Sequence, residues 1–84
     1  MKFNRIGIAR TDSIGDVVLT LPMAGVIKAH FPNCKIVFIG RSYTVPIIQC
    51  SSYIDDVQNW DDVKSKSTNE KVEWLRQMKL DAIV

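Results

Sequence analysis

The chain is short of the residues that small proteins commonly use to hold themselves together. Its two cysteines, Cys34 and Cys50, stand far apart in no C-x-x-C spacing, and the one histidine, His30, brings no companion ligand. Neither a disulfide framework nor a zinc site is implied; two free thiols in a reducing cytosol are the reading. Charge of one sign is also scarce. A net charge of +2 on a chain that is 24% charged, with its Lys and Arg scattered, gives no electrostatic footprint for nucleic acid. Long apolar runs are missing: Val17 to Leu19 and Ile36 to Ile39 are too short to span a bilayer, and Met1 to Arg10 lacks the apolar stretch of a signal peptide. A soluble, cytoplasmic protein follows. The mild excess of basic residues permits loose attachment to the inner membrane face, at about 1 kcal/mol per well-placed charge.

Internal repeats and low-complexity segments are absent as well. So are two common phosphate motifs. Gly7 falls within an apolar run and only Gly15 in a turn, so there is neither a G-x-G-x-x-G fingerprint nor a G-x-x-x-x-G-K-[ST] loop. This weighs against a dinucleotide-dependent dehydrogenase and against a nucleoside triphosphatase.

What is present has the rhythm of an α/β protein. Ile6-Gly7-Ile8-Ala9 is a short apolar run without alternation, suited to a strand buried on both faces of a parallel sheet. From Asp16, residues Val17, Leu21, Ala24 and Ile27 or Lys28 recur at helical spacing to about His30, with a kink or short break expected at Pro22. Phe31-Pro32-Asn33 makes a turn, and Lys35 to Gly40 is a second buried strand. Ser42 to Cys50 suits a short helix around Pro46, and Asp56 to Trp60 a third strand. Ser67 with Glu70 three residues on is a capping box, opening a helix with Val72, Leu75 and Met78 on one face. Asp81-Ala82-Ile83-Val84 then opens a fourth strand. At 84 residues this β-α-β-α-β-α-β order describes a partial Rossmann-like parallel sheet with flanking helices, spanning 1–84, the start of an amino-terminal domain in a larger protein.

In open α/β sheets ligands bind outside the carboxyl ends of the strands, which puts the loops at Thr11 to Gly15, Arg41 to Thr44 and Trp60 to Lys64 on one rim. The first is the richest. Thr11 and Ser13 offer hydroxyls, Asp12 and Asp16 carboxylates, Gly15 a close backbone approach, and the helix start free amide donors. It can hold an anion or an acceptor hydroxyl, and spacing does not distinguish them. For Asp16, an N-terminal capping role three residues after Ser13 is a complete account by itself.

The segment Arg10-Thr11-Asp12-Ser13-Ile14-Gly15-Asp16-Val17-Val18-Leu19-Thr20-Leu21-Pro22, after an amino-terminal strand, resembles the opening of the ADP-heptose:lipopolysaccharide heptosyltransferases, glycosyltransferase family 9. The Phe31-Pro32 turn, the strand to Gly40 and Ile54-Asp55-Asp56-Val57 are similar to that family's first domain. The resemblance implies a two-domain GT-B type enzyme with facing Rossmann-like halves. The amino-terminal half takes a lipid-linked or glycan acceptor, and an absent second half grips a nucleotide-sugar donor such as ADP-heptose. It implies Asp16 as general base, with Asp12 and Ser13 lining the reaction centre. The chemistry is compatible: inverting transfer needs an acceptor-side carboxylate to take a proton as a hydroxyl attacks an oxocarbenium-like carbon. Capping and catalysis can coexist in one residue. The chain has no D-x-D triplet, which agrees with a transferase that needs no metal and leaves the diphosphate to helix termini.

Elsewhere on the rim, Arg41 and Tyr43 could meet an acceptor's anionic groups or sugar faces, against a plain reading as solvated loop residues. Trp60 and Trp74 suit core or edge anchors better than sugar platforms. His30 suits a helix end, and Asp55-Asp56 and Asp61-Asp62 suit turns. Two rivals to the transferase remain: a non-catalytic Rossmann-like module that binds nucleotide or phosphate, and an interaction module pairing through an exposed sheet edge. In the transferase reading this chain alone is catalytically silent.

Overall fold

The computed structural model describes residues 3–11 and 13–84. Four parallel strands form one sheet in the order β3-β2-β1-β4, from β1 (Arg5–Ala9), β2 (Lys35–Gly40), β3 (Asp56–Asn59) and β4 (Ala82–Ile83). The two apolar runs occupy its centre, where both faces are covered, as their lack of alternation requires. Ile6 pairs with Ile36 and Ile8 with Phe38. Ile8, Ile36 and Phe38 then meet Val17, Ala24 and Ile48 on one face, while Val37 and Ile39 meet Met78 on the other. The α/β fold expected from the sequence is the one observed.

Helix α1 (Ile14–His30) begins two residues earlier than its apolar spacing suggests, because Ser13 caps it and accepts from the Asp16 amide. Gly15 is therefore not a loop residue. It lies in the helix's first turn, where a Cβ would meet only Ser13 Oγ, at 3.8 Å. Pro22 does not interrupt the helix. The carbonyl deprived of its donor is that of Val18, a residue 50% exposed, so water can serve there. Val17, Thr20 and Ala24 are buried; Thr20 escaped the apolar pattern because its hydroxyl is satisfied by the Asp16 carbonyl at 2.7 Å.

The second helix, α2 (Val45–Ile48), is shorter than the 42–50 expected. Thr44 is the reason. Fully buried, its Oγ1 accepts from the Arg41 amide at 3.1 Å and donates to the Arg41 carbonyl at 2.9 Å, which holds 41–44 as a separate turn. Gly40 permits the close approach: a Cβ there would stand 2.6 Å from Ile48 Cδ1 and 2.9 Å from Thr44 Oγ1. β3 stops at Asn59 rather than Trp60, since the Asn59 side chain accepts from the Asp61 amide and starts a 3-10 turn over Trp60–Asp62.

Helix α3 (Thr68–Gln77) opens on the expected cap, Ser67 accepting from the Glu70 amide at 3.2 Å. It is left through Lys79 in the left-handed region, φ 53°, and β4 is then secured to β1. Asp81 Oδ2 accepts from the Asn4 and Arg5 amides at 2.7 and 2.9 Å, and the Val84 amide donates to the Gly7 carbonyl at 2.8 Å. Among the described residues no helix is long and apolar enough to cross a membrane.

Candidate functional site

Strands β2 and β3 lie to one side of β1 and β4 to the other. The chain direction across the sheet thus reverses at β1/β4, and ligand sites of open α/β sheets sit outside the carboxyl ends at such a switch point. A cavity of about 310 Å³ opens there, lined by Ala9, Thr11, Ile39, Trp60, Trp74 and Ile83 among others. That volume is at the lower end of small-molecule sites. The tryptophan rings pack at 6.0 Å between centroids, tilted by 56°, and the Lys71 ammonium stands 5.3 Å from the Trp60 ring. Thr11 is the hydroxyl-bearing residue among these lining residues.

Beyond the end of β1 the chain is tied down before it enters α1. The Arg10 amide donates to the Ile39 carbonyl at 3.0 Å, and Arg10 Nε donates to Thr20 Oγ1 at 3.2 Å. Thr20 in turn holds the carbonyl of Asp16. The loop's far end is fixed by its cap, the Ser13 hydroxyl lying 3.1 Å from Asp16 Oδ2 and 3.4 Å from the Asp16 amide. Asp16 is exposed, in the first turn of α1. Among the described residues only its Oδ2 is engaged, which leaves Oδ1 for an incoming proton or hydroxyl. Asp12, the other loop carboxylate singled out by sequence, lies outside the described residues.

The second rim loop is joined to the third by Asp61. Its Oδ1 meets Arg41 Nε at 2.6 Å and Lys64 Nζ at 3.1 Å, and its Oδ2 accepts from the Ser42 amide at 2.7 Å. The Ser42 amide is the main cause holding the Asp61 carboxyl well below the usual range; Ser42, Arg41 and Lys64 side chains add to it and outweigh partial desolvation. Asn59 Nδ2 donates to Ser42 Oγ at 2.8 Å, a second link between the loops.

The structure thus brings Ser13 and Asp16 into direct contact, sets Gly15 in the helix between them, and sends Thr11 to the cavity wall. Arg41 is held instead at the β2/β3 end of the rim. Sequence reasoning read Asp61 as a turn residue and missed its partnership with Arg41. No local signal could have revealed a contact twenty residues away. The anchor reading of Trp60 and Trp74 is supported, since both pack against the Val37, Ile39 and Met78 cluster, yet they also wall the cavity. Among the described residues no group of three or more His, Cys, Asp or Glu is placed to hold a metal ion.

No family model matches the sequence, and no curated protein matches it. Among solved structures, the fold is similar to that of a glycosyl transferase family 9 protein from Veillonella parvula DSM 2008, with a TM-score of 0.66 and 20% sequence identity over 93% of this chain. The likeness establishes the fold. The chain spans 22% of the length of that protein.

Proposed function

We propose that this chain is the acceptor-side part of an inverting, metal-independent glycosyltransferase of family 9, similar to the heptosyltransferases that act on lipopolysaccharide. The observation that carries the reading is an exposed Asp16 in the first turn of α1, with an oxygen that no described residue engages, within a fold shared with a family 9 glycosyl transferase. In this reading an acceptor hydroxyl attacks the anomeric carbon of a nucleotide sugar such as ADP-heptose. A new C–O bond forms, the bond to the diphosphate breaks, and the diphosphate leaves with the electron pair. Asp16 Oδ1 takes the hydroxyl proton. A carboxylate serves as the base when proton transfer is late and bonding to the sugar has already acidified the hydroxyl.

Ser13 keeps the Asp16 carboxylate oriented, and Arg41 supplies donors to an anionic group of the acceptor. Thr11 borders the apolar cavity, which accepts a less polar part of the ligand. Donor contacts belong to a second half outside this chain, and the site works on the cytoplasmic side of the inner membrane. The test is Asp16→Asn in the protein that carries this chain, assayed with nucleotide sugars and a glycan acceptor. Transfer is expected to fall about 10²- to 10⁴-fold, with folding and donor binding unchanged because Asn also suits a helix start. Activity within a few-fold of the parent would remove Asp16 from the base role.

The Ser13–Asp16 contact also favours a second reading, in which Asp16 only caps and the helix start binds phosphate in a non-catalytic module. That protein would bind nucleotide or phosphate and transfer nothing.

A further inference from the structure

The ladder between β2 and β3 ends at Gly40 opposite Asn59, and what carries the two strands' rim loops onward is chiefly the Asp61 side chain. We propose that Asp61 is a positioning residue that holds Arg41 edge-on, so that the terminal nitrogens of its guanidinium are presented to an anionic, phosphate-type group of the ligand. This rests on the acceptor-contact role of Arg41 proposed above.

Both oxygens of Asp61 are used in keeping the rim together, with Arg41 and Lys64 on one and the Ser42 amide on the other. Its own amide is held by Asn59 Oδ1, and Asn59 returns a bond to Ser42 Oγ. The pair is two-thirds or more shielded, with side chains 31% and 20% exposed for Arg41 and Asp61. A guanidinium has five N–H donors in a fixed fork, and Asp61 takes the one on Nε. The donors on the two terminal nitrogens are the pair that grips a phosphate side by side. A carboxylate beside a cation weakens its general attraction for anions, so the positioning role requires that orientation outweigh the charge Asp61 cancels.

That opposition gives a decisive sign. The labelled protein that carries this chain is titrated with inorganic phosphate while the Arg41 Nε–H and Ser42 amide resonances are followed by NMR. The parent is expected to show saturable shifts at both, Arg41→Ala to lose the phosphate-dependent shift of the Ser42 amide, and Asp61→Asn to bind phosphate several-fold more weakly although it has lost a negative charge. Unchanged or tighter binding in Asp61→Asn, with Arg41→Ala still weakened, overturns the positioning role and leaves Arg41 as a ligand contact. Affinity insensitive to Arg41→Ala, or no binding by the parent, defeats the Arg41 reading and the inference with it. Should Asp61→Asn fail to fold, Asp61→Glu puts the same question, since it keeps both charges and the guanidinium but displaces the carboxylate from Arg41 Nε. Parent-like affinity in that variant overturns the proposal.

Discussion

The two faces of the sheet are finished to different degrees. On the α1/α2 face, Ile8, Val17, Ala24, Ile36, Phe38 and Ile48 are all fully buried. On the α3/β4 face the buried cluster is Val37, Ile39 and Met78, α3 itself contributes no buried residue over Thr68–Gln77, and β4 is two residues long. Burial of apolar area is the main favourable term in folding. The first face therefore carries most of the stability, while the second stays open beside the cavity and exposes Ile83 and Val84.

The largest effect expected from this contrast is on truncation. Phe38→Ala should cost about 3–5 kcal/mol, because the cavity left among fully buried neighbours cannot collapse, whereas Leu75→Ala on the open face should cost below about 2 kcal/mol. Urea unfolding of the two variants measures both, and equal losses would break the comparison.

Acid should separate the faces next. At the start of β3, Asp55 Oδ2 meets Lys28 Nζ at 2.7 Å and the Ile36 amide at 2.8 Å. Partial burial pushes this carboxyl up, but the Lys28 and Ile36 hydrogen bonds, with the charges of Lys28 and Lys35, hold it below its ordinary value. The Arg5 and Asn4 amides do the same for Asp81 on the β4 side. Folded values below the unfolded ones mean stabilisation present above about pH 4 and lost as pH falls through the folded values. The urea midpoint should hold from pH 7 to 5 and fall below about 4. Hydrogen exchange should report the difference between the faces: the Val84 amide, fastened by the short β4, should lose protection before that of Phe38. Simultaneous loss would show one cooperative unit.

The smallest effect concerns the exit from α3. Lys79 pays a steric cost at φ 53°, so Lys79→Gly should raise stability by up to about 1 kcal/mol. A gain of that kind would firm the open face and leave the truncation cost at Phe38 unchanged. A loss would mean that the Lys79 side chain contributes more than its backbone strain removes.

Much of the fold was legible because its signals are local. Ser67 with Glu70, and Ser13 with Asp16, cap helices through bonds spanning three residues, so spacing alone reveals them. Lys35 to Gly40 was placed without error because four consecutive strand-forming residues, Ile36 to Ile39, leave few alternatives. Boundaries slipped where a polar side chain intervened: Thr44 shortened α2, Asn59 ended β3, and Ser13 moved Gly15 from the loop into the helix. The rim itself followed from the order of elements. Its occupants did not sort themselves by sequence, and Thr11, Asp16 and Arg41 lie at three different stations along it.

The sequence by itself determined which segments become strands and helices, that the central strands are covered on both faces, and that a carboxylate stands at the start of α1. Those properties depend on propensity, periodicity and bonds within a turn or two. Only the tertiary structure decided that β4 lies beside β1 and opens a cavity at the switch point, and that Asp61 holds Arg41. Each of these joins residues far apart along the chain, and such contacts form only when the parallel ladder brings distant strand ends together, at a loop-closure cost that no local pattern encodes.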